Sequence, residues 1–151
     1  MSGEKDPGRS AQQSPQTAAW PGREQARPSA ERSPDVIVDF DLDGDLLYVV
    51  VRNIGTGPAS RIRVAFEPPF AGAGGVDVPR LGLFHRLEFL PPGGERRAFV
   101  DGIAAYFAGE QPEVIVATAT FHDDGGHGFR RRIRHDLGIY RDLPRARRPG
   151  G

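Results

Sequence analysis

The 151-residue chain has no cysteine, one lysine (Lys5), one tryptophan (Trp20) and no long apolar run. Without thiols there are no disulfides, thiolate metal sites or cysteine nucleophiles. No stretch approaches the roughly 18 apolar residues of a membrane-spanning helix, and the first residues lack the apolar core of a secretory signal. A cytoplasmic protein with no membrane span is expected. Serine is scarce where it would matter, since Ser2, Ser10, Ser14, Ser29 and Ser33 precede the apolar part of the chain and only Ser60 lies within it. Ser60 has no Gly-x-Ser-x-Gly turn around it. Gly55-Thr56-Gly57 lacks the lysine and following helix of a phosphate loop. With these nucleophiles and bases missing, neither an enzyme nor a cofactor is expected.

What is present divides the chain in three. Residues 1–34 are rich in Ser, Gln, Pro, Gly and charge, and such a composition cannot bury enough surface to offset the entropy of ordering. They are expected to be a disordered tail, followed by a domain over 35–143 and a flexible basic end over 144–151. Net charge is zero, but residues 35–137 carry 11 Arg against 15 Asp and Glu. A domain at −4 is not the composition of a dedicated nucleic-acid binder.

Within the domain, Val36, Val38 and Phe40 alternate with polar residues, and Asp43-Gly44 is a strong two-residue hairpin signal. That turn would set Phe40 opposite Leu47, Val38 opposite Val49 and Val36 opposite Val51. The apolar run Leu46–Val51 ends in a turn spanning Asn53–Pro58. Ile62, Val64 and Phe66 mark a third strand, and Leu81, Leu83, Leu87 and Phe89 a less regular fourth. Arg96–Val100 forms a fifth, Val114–Phe121 a sixth and Phe129–Leu137 a seventh. Ile103–Ala108 reads as a helical turn or an irregular crossover. Seven short strands separated by turn chemistry predict an all-β, two-sheet antiparallel sandwich with its core between the sheets.

Three motifs carry a resemblance. Val49-Val-Val-Arg-Asn-Ile-Gly-Thr-Gly-Pro-Ala59 before an alternating strand, Leu90-Pro-Pro-Gly-Gly-Glu95 before a short one, and a Phe121-x-Asp123-x-x-Gly126 hairpin resemble bacterial immunoglobulin-like domains of the cell-adhesion-related (CARDB) kind. The resemblance covers about residues 35–137 and implies a seven-stranded immunoglobulin-like sandwich. Its motifs are structural turns, so it carries over no site residue. Leu83-Phe84 and His135–Leu143 look instead like a narrower group of uncharacterised bacterial proteins.

Asp41, Asp43 and Asp45 have the 1, 3, 5 spacing of a calcium loop, but Leu46 and Arg52 stand where glycine and glutamate are required. His122, Asp123, Asp124 and His127 place four possible ligands in six residues, in a stretch that is also ordinary turn composition; no metal is expected. Trp20 is the one apolar anchor available for docking in the tail, and Arg145, Arg147 and Arg148 form a terminal charge run.

The remaining candidate is a surface. A three-residue loop at Asp124-Gly125-Gly126 would set Phe121 opposite Phe129 and Ala117 opposite Ile133, both inward. Thr118 and Thr120 then point outward beside Arg132 and Arg130, with Arg134 opposite Val116. Arg61 and Arg63 would lie on the wet face of the neighbouring third strand. Arg131 would point inward opposite Ala119 and need a carboxylate. The expectation is a non-catalytic protein–protein interaction module whose Arg61, Arg63, Arg130, Arg132 and Arg134 meet an acidic protein surface. The alternative is a binder of an anionic ligand or nucleic acid through the same face. Against both stands the plain reading that arginine solubilises a β surface and blunts its edges.

Overall fold

The structure is a computed structural model that describes residues 32–143. Seven strands, β1 (Val36–Asp43), β2 (Leu46–Asn53), β3 (Ala59–Glu67), β4 (Leu87–Leu90), β5 (Glu95–Gly102), β6 (Val114–His122) and β7 (Gly128–Asp136), form two antiparallel sheets. One sheet has the order β1-β2-β5 and the other β4-β3-β6-β7. The stretch after β5 is helical, α1 (Ile103–Ala108), and a single turn, α2 (Ile139–Asp142), follows β7. Contacts with the sandwich begin before residue 35. Ser33 O accepts from Thr56 N–H (2.9 Å) and Gly57 N–H (3.2 Å), so Ser33 and Pro34 are already fastened to the sandwich. Residues 1–31 of the tail, with Trp20, and Arg145–Arg148 lie outside the described residues.

The core forms where the alternating faces meet. Val36, Val38, Phe40, Leu47, Val49 and Val51 of one sheet pack against Ile62, Val64, Phe66, Ile115, Ala117, Ala119 and Phe121 of the other. Its centre is aromatic. Phe66 makes edge contacts with Phe70 (5.2 Å) and Phe84 (4.9 Å), and Phe40 with Phe70 (5.9 Å), the offset geometry that ring quadrupoles favour.

Two expectations are corrected. The β1–β2 loop is Gly44-Asp45, with Asp43 opposite Leu46, so Phe40 pairs with Val49 and Val38 with Val51. The slip by two residues sets Leu42 opposite Leu47 rather than Asp45, exchanging an apolar–charged pair for an apolar one. A shift by an even number leaves every side chain on its expected face, so the inward set is unchanged. The second correction concerns the fourth strand, which spans only Leu87–Leu90. Leu81 and Leu83 sit instead at two successive 3-10 turns, where a stretch interrupted by Gly82 wraps the sandwich side rather than extending.

Asn53 ends β2 and is fully buried. Its side-chain Nδ2 donates to the carbonyls of Gly57 (2.9 Å) and Leu90 (3.1 Å). Its Oδ1 accepts from the backbone N–H groups of Asp35 (3.1 Å) and Gly55 (3.0 Å). Gly55 admits this arrangement because a Cβ there would lie 2.3 Å from Ser33 O.

Phe66 is only 9% exposed at the centre of the aromatic cluster. Phe66→Ala is expected to cost about 3–5 kcal/mol in denaturant unfolding. A loss below about 1 kcal/mol, the range of ordinary surface substitutions, would contradict this packing.

Candidate functional site: the outer face of the four-stranded sheet

The β6–β7 hairpin has the expected three-residue loop. Gly126 N–H donates to Asp123 O (3.0 Å), and Gly126 takes the left-handed conformation (φ +83°) required there. Phe121 faces Phe129 with rings stacked at 5.5 Å, Ala117 faces Ile133, and Ala119 faces Arg131. This register, continued into β3, sets three rows across the outer face: Arg63–Thr120–Arg130, Ala65–Thr118–Arg132 and Glu67–Val116–Arg134.

The five arginines named from sequence are not equivalent. Arg130, Arg132 and Arg134 stand exposed along β7, and none has a carboxylate partner among the described residues. Arg63 is held by Glu88 (Nη2 to Oε2, 3.1 Å) and donates to Ile62 O (2.8 Å), so its charge is largely answered on the same surface. Arg61 departs from the alternation. The β3–β6 register shifts between Ser60 and Arg63, and Arg61 (φ +50°) is the extra residue of a bulge. The bulge lets both Ala59 and Ile62 be buried, and leaves Arg61 exposed but outside the cross-strand rows. Between the β7 arginines and β3 runs a shallow groove of about 390 Å³ with Ala65, Val116 and Thr118 on its floor and Glu67, Arg130 and Arg132 along it. Small side chains there leave the guanidinium groups standing above the sheet.

Arg131, inward by register, finds its carboxylate in Asp35. That pair is part of a seam along the free edge of β1. His135 Nε2 donates to Val38 O (2.8 Å), and Tyr140 Oη donates to Phe40 O (2.8 Å). Burial, and then Asp39 and Asp41, hold the Tyr140 hydroxyl above its ordinary pKa, so it stays a donor. Arg141 ties α2 to Glu113 (Nε to Oε2, 2.8 Å) and lies over the Phe107 ring at 4.0 Å.

The acidic stretches do other work. Asp41 lies 3.8 Å from Arg52, which also binds Glu95 at 2.9 Å, on the outer side of the three-stranded sheet. Asp123 is buried and caps its own turn, accepting from His127 N–H (2.8 Å) and lying 3.1 Å from His127 Nδ1. Burial alone would push its carboxyl pKa up, but the His127 backbone and ring and the Gly125 N–H outweigh this and hold it below the ordinary value. Among the described residues no three His, Cys, Asp or Glu side chains converge as a metal site, and no helix is long and apolar enough to cross a membrane.

The family model described as Domain of unknown function (DUF8453) matches residues 9–141. The chain belongs to this family. The DUF8453 match takes in all seven strands and extends into α2, so the β1 seam lies within the family's span along with the arginine row. No curated protein and no solved structure matches the chain.

Sequence reasoning missed one other arginine-bearing feature. A groove of about 790 Å³ opens between β5 and the turns before β4, lined by Leu81, Leu83, Leu87 and Ala98 together with Arg86, Arg96 and Arg97. The one available signal was β5 itself, where Arg96 and Ala98 share the inward parity of Val100.

Because the folded-state pKa of Asp123 is depressed, its stabilising effect is fully present above the unfolded carboxylate value of about 4 and is lost as pH falls through the lower folded value. Thermal melts should therefore separate wild type from Asp123→Asn at pH 7 and bring the two together in acid. A gap that stays constant down to pH 2 would contradict the assignment.

Proposed function

We propose that this chain is a non-catalytic, immunoglobulin-like protein–protein interaction module, with Arg130, Arg132 and Arg134 meeting an acidic surface on its partner. The strand order supports the immunoglobulin-like reading: β1, β2 and β5 oppose a sheet built on β3, β6 and β7, as in that class of sandwich. The observation that carries the functional reading is the contrast among the arginines. Arg52, Arg63, Arg131 and Arg141 each have a carboxylate partner, whereas the β7 row has none among the described residues. Unanswered like charges in one row repel one another, and an acidic surface laid on them removes that cost while setting register and on-rate. The groove floor of Ala65, Val116 and Thr118 gives such a partner room to approach the guanidinium groups.

The test is retention on immobilised poly-glutamate as a function of salt, for wild type and for Arg130→Gln/Arg132→Gln/Arg134→Gln. The triple variant should elute at clearly lower salt with a shallower salt slope. Unchanged elution would leave the face as solubilising surface, and stronger retention on a single-stranded oligonucleotide of equal charge would favour the anionic-ligand reading.

A further inference from the structure

The two open sides of the sandwich are finished differently. On the β1 side the edge carbonyls of Val38 and Phe40 are occupied by His135 and Tyr140. The opposite side is bounded by β5, the other edge of the three-stranded sheet, and by β4. There, among the described residues, the end of β5 is covered by Gly72, whose added Cβ would lie 2.3 Å from Val100 O. Glu95 O accepts from Arg96 Nη1 (2.8 Å), and among the described residues no loop backbone hydrogen-bonds to the edge from Arg96 to Phe99. Asn53 N–H donates to Gly94 O (2.9 Å), and β2 pairs onward with Val51 opposite Arg96 and Val49 opposite Ala98. Antiparallel alternation then directs the backbone groups of Arg96 and Ala98 at β2, and those of Glu95, Arg97 and Phe99 at the free edge.

We infer that β5 accepts an extended segment of a partner protein as an added antiparallel strand, carrying two adjacent apolar residues followed by two adjacent acidic ones. The order follows from what each added residue would meet. Opposite Phe99, which is 46% exposed, and opposite Ala98, at the leucine-lined floor, an apolar side chain fits. Opposite Arg97 and Arg96 an acidic one fits. Read from its N-terminus, the added strand is therefore apolar, apolar, acidic, acidic. Arg86, Arg96 and Arg97 have no carboxylate partner among the described residues; Arg97 lies over the Tyr48 ring at 4.1 Å, and Arg96 donates to Glu95 O. A second copy of β5 is a poor occupant, because it would bring these cations against their own kind. Strand addition at an exposed edge takes its affinity from the ladder and its selectivity from the side chains, and the charges of Arg96 and Arg97, which blunt this edge toward a basic or like-charged strand, leave it open to an acidic one. This surface is separate from the β7 arginine row, which borders the opposite edge of the other sheet.

The probe is a fluorescent peptide, acetyl-Thr-Val-Leu-Glu-Glu-Thr-amide, titrated against the full chain by anisotropy with amide hydrogen exchange alongside. Saturable binding with new protection at Arg97 and Phe99 is expected. N-methylation of the valine and the first glutamate leaves the side chains in place but blocks the ladder, and should weaken binding at least tenfold. Arg96→Glu/Arg97→Glu should do the same, and Arg130→Gln/Arg132→Gln/Arg134→Gln should change nothing. Absence of saturable binding, indifference to N-methylation, equal binding of a Lys-Lys peptide, or loss in the β7 triple variant would each overturn the inference. The N-methylated peptide needs no protein variant, so a misfolded double variant does not protect the idea.

Discussion

The constraint on which this sandwich depends is the full satisfaction of one buried amide. Asn53 uses both side-chain donors and both acceptor positions inside the protein, at distances of 2.9–3.1 Å. Through them it joins the residue before β1, the turn after β2 and the last residue of β4. Its own backbone adds the β4–β5 turn, donating to Gly94 O and accepting from Gly93 N–H. Four chain segments belonging to both sheets are thereby fixed around one side chain. No other residue type supplies two donors and two acceptors at that reach, because aspartate cannot donate and leucine can do neither. A half-satisfied polar group at such a depth would be worse than an apolar one, so the network works only complete.

With the sheets fixed there, the functional surfaces follow from how each margin is finished. The β1 margin is sealed by β7 and α2 through Arg131, His135 and Tyr140, which answer a carboxylate and two edge carbonyls. The seal explains why β7 can carry inward-pointing polar residues without loss: their polar ends reach across to β1. The same strand presents Arg130, Arg132 and Arg134 to the other side, where nothing in the described fold answers them. One nine-residue strand thus closes the sandwich with one set of residues and charges its outer face with the alternate set. Among the described residues the β5 margin has no comparable seal from another strand or helix; Arg96 lines its apolar groove and Arg97 lies over the Tyr48 ring.

Much of this was legible in the sequence, and the failures have physical causes. The β6–β7 register could be read because Phe121 and Phe129, and Ala117 and Ile133, agree only with a three-residue loop. The β1–β2 register was missed by two because Asp43-Gly44 and Gly44-Asp45 are both acceptable turns, and parity, which sets the buried face, does not tell them apart. The bulge at Arg61 was hidden because strict alternation has no means of announcing one. The partner of Arg63 was hidden because Glu88 lies on β4, whose Leu81 and Leu83 gave a false impression of a longer strand. Asn53 looked like turn composition, since its role rests on Leu90, far along the chain. The groove over Ala98 required knowing that β4 and β5, consecutive in sequence, belong to different sheets.

The central claim is that Asn53 fastens the two sheets together, and urea unfolding of Asn53→Ala tests it most directly. Four hydrogen bonds vanish and the Gly57 and Leu90 carbonyls lose a buried donor, so a loss of roughly 3–5 kcal/mol is predicted. Asn53→Asp should fall in the same range, because it keeps the shape and removes both donors. A loss below about 1 kcal/mol in both variants would contradict the account and leave the aromatic core as the sole fastening between the sheets.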